Sequence, residues 1–314
     1  FRDDILHLAF SGLFMGLGIA SKWTGIYAGI GLALIFFFAL YRRAAQGIAA
    51  EQLLLGDTSL IDPDKLQTVT QTAKNWQKHV LYTLLWCLLL FVAVPTFIYY
   101  ISFLPWFMRT PGGLTVKKAF DASKSMFNYH ATPGLGMDHP FYSPWYEWPL
   151  IFKPFYFFSG TRIGDTGSTI MSFGNPAVWW GGFAALLLMV YFWLKQHIII
   201  MPLRVSLVSL EKREDSRPAL LIVSYLAQFV PWMLVPRGTY LYHYFPSVPF
   251  IILCAVIALY YLWCKHKKTG LIVTVAYLII VLALFAAFFP YYSGIRVSAA
   301  WLNAMRWFPN WIYY

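Results

Sequence analysis

Apolar residues in this chain come in long, nearly unbroken runs, not in the one-sided stripe of a helix that packs on a soluble core. Seven such runs lie at 5–20, 24–41, 80–104, 176–194, 219–235, 247–263 and 270–289, and each approaches the roughly 20 residues that an α-helix needs to cross a bilayer core. The first two are one stretch broken by Ala20-Ser21-Lys22-Trp23-Thr24-Gly25, so a reversal is expected at Lys22. Gly12 and Gly16, four apart in the first run, have the spacing that lets two membrane helices approach closely. Pro95 inside the third run is tolerable in a membrane helix. Asp62-Pro63 reads as an N-cap followed by proline at the first helical position, which starts a helix leading into that run.

The pattern predicts an all-α fold, a polytopic transmembrane helical bundle of about seven spans. Residues 1–104 carry about three spans and a polar loop at 42–79. Residues 105–175 form a non-spanning loop region rich in aromatic residues, Pro and Gly. Residues 176–314 carry about four spans, and at 198–213 Ile200, Leu203, Leu207 and Leu210 recur at helical spacing, as in a helix lying in the membrane interface. Composition agrees. Of 314 residues 59% are hydrophobic and 12% charged, against about a quarter charged in soluble domains, so part of the surface must face lipid.

The net charge of +11 does not indicate a nucleic-acid partner. The basic residues sit in gaps between runs, as in Arg42-Arg43 and Lys265-His266-Lys267-Lys268, where they act as anchors at membrane lipids. Residues 42–78, 195–217 and 265–268 together hold 13 of the 24 Lys and Arg. The positive-inside rule therefore puts the 42–79 loop and the 198–213 helix in the cytoplasm. The 105–175 loop, the Lys22 and Arg237 turns and the C-terminus are then extracytoplasmic, although the long loop has six basic residues of its own. Cys87, Cys254 and Cys264 lie in or beside apolar runs, which argues against a disulfide framework or a zinc site. The chain opens with Phe1-Arg2-Asp3-Asp4, and its first run lacks the features of a signal peptide. A longer protein is expected upstream.

Candidate chemistry concentrates on the outer side. The segment His139-Pro140-Phe141-Tyr142-Ser143-Pro144-Trp145-Tyr146-Glu147-Trp148-Pro149-Leu150 can stack rings on a sugar while its polar groups bond hydroxyls. The same composition also suits an interfacial aromatic belt. In Pro236-Arg237-Gly238-Thr239-Tyr240-Leu241-Tyr242-His243-Tyr244-Phe245-Pro246, Arg237 is placed to clamp a lipid phosphate or simply to snorkel. Lys22 is a third charge on that face, either a phosphate contact or an anchor. His130, His139 and Glu147 do not have metal-site spacing, and no phosphate loop, dinucleotide fingerprint or nucleophile elbow is present. No metal and no cofactor is expected.

The pieces Gly18-Ile19-Ala20-Ser21-Lys22-Trp23-Thr24-Gly25, the His139 to Leu150 block and Tyr242-His243-Tyr244-Phe245-Pro246 resemble the protein O-mannosyltransferases in order over nearly the whole chain. These are enzymes of the GT-C fold that use dolichyl- or polyprenyl-phosphate mannose. The resemblance implies the last seven spans of an eleven-span enzyme. It implies transfer of mannose or another hexose, with inversion, from a polyprenyl-phosphate donor to a Ser/Thr hydroxyl of a protein or peptide at the extracytoplasmic face. The family's acidic Asp-Glu pair falls ahead of residue 1, so the catalytic residue is unassigned here. The loop at 105–175 is too short for the β-trefoil insert of the eukaryotic enzymes, which points to a bacterial or archaeal-like relative, with a bacterial plasma membrane as the expected location. Lys22, His139, Trp145, Glu147, Trp148, Arg237, Tyr242 and His243 become the expected substrate-binding residues. Arg237 is assigned to the phosphate, and a dimer is left open. Two other classes stand beside this one. A transporter would need more intramembrane polar groups than the spans after residue 219 carry, and a non-catalytic scaffold would lack the acidic pair upstream.

Overall fold

The computed structural model describes residues 2–56, 58, 61–200 and 216–311. Among the described residues six helical segments are long and apolar enough to cross a bilayer: Trp23–Leu55, Pro63–Phe107, Pro176–Lys195, Arg217–Leu234, Leu241–Lys265 and Lys267–Ser293, with a shorter apolar helix at Ile5–Ser21. Side chains such as Phe37, Phe38 and Leu282 remain exposed on them, which is costly in water and neutral in lipid. The chain is an integral membrane protein of helical-bundle architecture. The expected 198–213 interfacial helix falls mostly outside the described residues.

Two compact units make up the chain, one of Phe1–Met126 and one of Phe127–Leu203 with Asp215–Tyr314. In the first, α1 (Arg2–Ser21) ends at Lys22, whose extended backbone breaks the helix before a short turn at Trp23–Gly25 and α2 (Ile26–Leu55). The reversal thus falls at the lysine. Asp62 caps α3 (Pro63–Leu88), its carboxylate accepting Asp64 N–H at 3.1 Å. A wide π turn at Leu89–Ala93 leads into α4 (Val94–Ser102). It lies just ahead of Pro95, whose ring would otherwise press on the carbonyl four residues back. α1 packs here through its glycines: a Cβ on Gly12 would overlap the Leu90 carbonyl, and one on Gly16 would meet Pro95 and Ile98. α5 (Leu104–Phe107) closes the segment, and α6 (Val116–Ala131) follows.

The second unit has α7 (Pro176–Ile200), α8 (Arg217–Phe229), α9 (Val248–Lys265) and α10 (Lys267–Ser293), with short 3-10 turns at Val230–Leu234 and Leu241–Ser247 joining α8 to α9. The segment 105–175 carries more structure than its Pro/Gly content suggested. Besides α5 and α6 it holds a 3-10 turn at Trp145–Leu150 and the strands β1 (Phe155–Ser159), β2 (Thr166–Gly167) and β3 (Thr169–Ser172). β1 pairs antiparallel with β3, and β2 with β4 (Val297–Ser298), ahead of α11 (Ala299–Ala304). Among the described residues the helical bundle therefore carries two small two-stranded ribbons.

Candidate functional site

The two motif-bearing segments of the second unit are zipped together by backbone. Gly134 N–H donates to Pro236 O at 2.9 Å, Gly238 N–H to Leu135 O at 2.8 Å and Ser143 N–H to Thr239 O at 3.0 Å. Gly238 has to be glycine, since a Cβ there would overlap the Gly136 carbonyl. Buried backbone groups need partners, and Ser143 O finds two: Thr239 Oγ1 donates to it at 2.9 Å and the Trp148 indole at 3.1 Å. The same indole N–H reaches Ser143 Oγ at 3.1 Å.

Three more tryptophans hold the 3-10 turn in place. Trp179 Nε1–H donates to Trp148 O at 2.9 Å, Trp180 Nε1–H to Leu150 O at 3.1 Å and Trp311 Nε1–H to Ile151 O at 2.8 Å. Ile151, fully buried, is the one non-glycine with positive φ among the described residues (φ 54°, ψ 42°). For a β-branched residue that conformation is strained, and the surrounding indoles over-determine it. Trp311 is fully enclosed, so this tail tryptophan does not sit in an interfacial belt.

On this frame the ring-bearing residues converge. The exposed His139 stacks on Phe155 (centroids 5.9 Å, 16°) and meets Tyr240 edge-on at 5.3 Å. Phe155 lies 4.9 Å from Tyr240 and 5.2 Å from Tyr242, which lies 5.7 Å from Tyr240. His139 Nδ1 accepts Phe141 N–H at 3.2 Å, which leaves Nε2 to carry the donor proton in the neutral ring. Arg237 stands beside this group, and its charge acts on Tyr242. The guanidinium donates from Nη1 to Gly238 O at 3.3 Å, while its Nε–H is buried without a partner. A permanently charged group with an unsatisfied buried donor is suited to an anion.

The expected site residues separate into four groups. His139, Arg237 and Tyr242 come together at the surface. Trp148 and His243 are buried behind them: Trp148 stacks on His243 (6.0 Å) and meets Trp232 (5.6 Å), and His243 Nδ1 accepts Tyr240 N–H at 3.0 Å. Trp145 and Glu147 lie half-buried on the 3-10 turn, Trp145 against Phe229 at 5.6 Å. Burial pushes the Glu147 carboxyl above its ordinary range, and Lys153 pulls it partly back. Lys22 belongs to the other unit and is exposed at the end of α1. Sequence reasoning missed Phe155, Tyr240 and Thr239 as members, and Trp179, Trp180 and Trp311 as supports. Thr239 and Tyr240 alone had a visible signal, being inside the Arg237 segment.

Residues 115–311 match the family model of the C-terminal four TMM region of protein-O-mannosyltransferase. The chain is 27% identical over 337 residues to the polyprenol-phosphate-mannose–protein mannosyltransferase of Corynebacterium glutamicum, covering 96% of this chain and 57% of that protein. It is 23% identical over 334 residues to the protein of the same name from Mycolicibacterium smegmatis, again covering 96% and 57%. The solved structure of the Saccharomyces cerevisiae protein O-mannosyltransferase Pmt1–Pmt2 complex bound to the sugar donor aligns with a TM-score of 0.48 at 19% identity, covering 63% of this chain and 27% of that one. The chain thus spans a little over half, 57%, of the length of these two curated relatives.

Proposed function

As the chain belongs to the protein O-mannosyltransferase family, we propose that it forms the donor-phosphate side of a membrane mannosyltransferase. The enzyme takes mannose from a polyprenyl-phosphate carrier and places it on a Ser or Thr hydroxyl of a protein, at the extracytoplasmic face of a bacterial plasma membrane. The distribution of basic residues between the spans supports that sidedness, and the names of the curated relatives support the donor and the acceptor class. The observation that carries the reading is Arg237. Its Nε–H is buried and unpartnered, and the chain runs from it through Tyr240 and Tyr242 of the His139–Phe155–Tyr240–Tyr242 ring cluster into a membrane span that begins at Leu241.

In this reading the acceptor oxygen attacks the anomeric carbon and the bond from that carbon to the phosphate oxygen breaks. The phosphate leaves with the electron pair, and a carboxylate takes the hydroxyl proton. The carboxylate is assigned to the family's acidic pair, outside this chain. Arg237 acts on the leaving group. The donor phosphodiester has one negative charge and the departing monoester gains a second, so Arg237 binds the transition state more tightly than the ground state. His139 Nε2–H and the tyrosine hydroxyls face the sugar, and Trp148 and His243 hold the wall. Trp145 and Glu147 flank the pocket.

The test is mannosyl transfer to an acceptor peptide by the full-length enzyme in membranes. Arg237→Gln is expected to lower kcat by about 10- to 150-fold, the worth of one charged hydrogen bond of about 1.5–3 kcal/mol. Arg237→Lys recovers part of the loss by restoring charge without the fork. Unchanged kcat in Arg237→Gln would refute the assignment.

A further inference from the structure

α6 has a second exposed face that neither the bundle nor the proposed donor site uses. Its sixteen residues, Val116–Ala131, contain Lys117, Lys118, Asp121 and Lys124 and cannot cross a bilayer. The inner side of the helix presents Ala119, Ala122 and Ser123. At 100° per residue Val116, Phe120 and Phe127 share a strip about 40° wide, and they are 74%, 66% and 60% exposed. One step round the helix run Lys117 and Lys124, seven residues apart and both exposed.

The first unit fixes this helix at the end of a membrane span. Lys118 Nζ donates to Pro111 O at 2.6 Å and Gly113 O at 2.8 Å, and lies 5.7 Å from the centre of the Phe107 ring. Phe107 is the last residue of the Pro63–Phe107 span. Ser123 Oγ shares a 2.9 Å hydrogen bond with Tyr99 OH in α4, and that hydroxyl also accepts the Trp23 indole N–H at 2.8 Å. Tyr and Trp joined in this way are residues of the water–lipid boundary. A helix held there, with an apolar strip and an adjoining row of ammonium groups, matches an in-plane membrane helix.

We propose that α6 lies on the bilayer surface, with Val116, Phe120 and Phe127 among the acyl chains and Lys117 and Lys124 on the phosphates of anionic phospholipids. Apolar burial sets the depth and the lysines set the lipid preference. Lys124 carries more of that preference, because Lys117 is paired with Asp121 at 2.8 Å.

The test uses the protein in nanodiscs of phosphatidylcholine, alone or mixed with phosphatidylglycerol, with the exposed Cys264 changed to Ser. A fluorophore is placed at Phe120→Cys, at Val116→Cys as a second site on the strip, and at Asn128→Cys on the polar side. Spin-labelled acyl chains are expected to quench positions 116 and 120 strongly and position 128 weakly, and phosphatidylglycerol to deepen the difference. Lys124→Gln is expected to lower the docked-to-undocked ratio about fivefold in phosphatidylglycerol, the share of one lysine near an anionic surface, and to change little in phosphatidylcholine. Equal quenching at 120 and 128, or a Lys124→Gln effect indifferent to lipid charge, overturns the proposal. Protection of position 120 that follows protein concentration also overturns it, by assigning the strip to a second copy.

Discussion

The carbonyl of Ser143 allows a sharp test of how the two motif segments are held together. It is fully buried and has two donors, Thr239 Oγ1 at 2.9 Å and Trp148 Nε1 at 3.1 Å. Thr239→Val keeps the shape and removes one donor, for a cost of about 0.5–1.5 kcal/mol. Trp148→Phe removes the other and leaves a small void beside Trp232 and His243, for about 1–3 kcal/mol. Each single variant leaves the carbonyl one partner. The double variant leaves a buried acceptor with none, which adds a desolvation penalty of about 1–2 kcal/mol beyond the sum of the singles. Reversible unfolding of the reconstituted protein, followed in a detergent titration for all four members of the cycle, measures that excess. Additivity within about 0.5 kcal/mol would show that Ser143 O does not depend on these two groups, and the pin between the segments would have to be placed elsewhere.

Three further outcomes follow from the packing and the charges. Gly12→Val is expected to destabilise the first unit by about 1–3 kcal/mol, because the new side chain meets the Leu90 carbonyl; Gly18→Val, with open space at its Cβ, is the control, and equal losses in thermal unfolding would contradict the contact of α1 with the π turn. Burial raises Glu147 above the usual carboxyl range, so the folded protein holds this proton more tightly than the unfolded chain. Its contribution to stability is complete below the unfolded pKa and is lost as pH rises through the folded one. Glu147→Gln should therefore flatten the fall in unfolding temperature above the ordinary Glu range, and an unchanged pH profile would count against burial as the cause. Trp311→Phe removes the hydrogen bond to the strained Ile151 and is expected to cost about 1–3 kcal/mol while lowering transfer activity through the 3-10 turn; wild-type stability would separate Trp311 from that turn.

Much of the bundle is legible in sequence because lipid imposes long apolar runs and local chemistry marks where they end. Lys22 breaks a helix at the expected place, Asp62-Pro63 caps one, and Gly12 and Gly16 face a close neighbour. The π turn before Pro95 and the ribbons at β1–β3 and β2–β4 carry weaker signals. A proline in a span shows only that the hydrogen-bond ladder is disturbed, and Phe155-Tyr156-Phe157-Phe158 has no alternation to suggest a strand. In the candidate site, residue types revealed the convergent segments but not which residues face out. His139 and Tyr242 look alike in composition to Trp148 and His243, yet the latter two are enclosed by stacking that only the tertiary fold specifies. The tail tryptophans illustrate the same ambiguity, since an indole at an interface and an indole capping a buried carbonyl read identically in one dimension.

The most direct measurement of the account compares the affinities of full-length wild type and Arg237→Gln for two ligands, the polyprenyl-phosphate mannose donor and the bare polyprenyl phosphate. If Arg237 holds the phosphate that departs, both affinities fall, and that of the monoester, with its extra negative charge, falls further, by about 10- to 150-fold. Equal affinities in the two proteins for the bare phosphate would contradict the account, leaving Arg237 as an anchor of the membrane surface and the ring cluster without its phosphate.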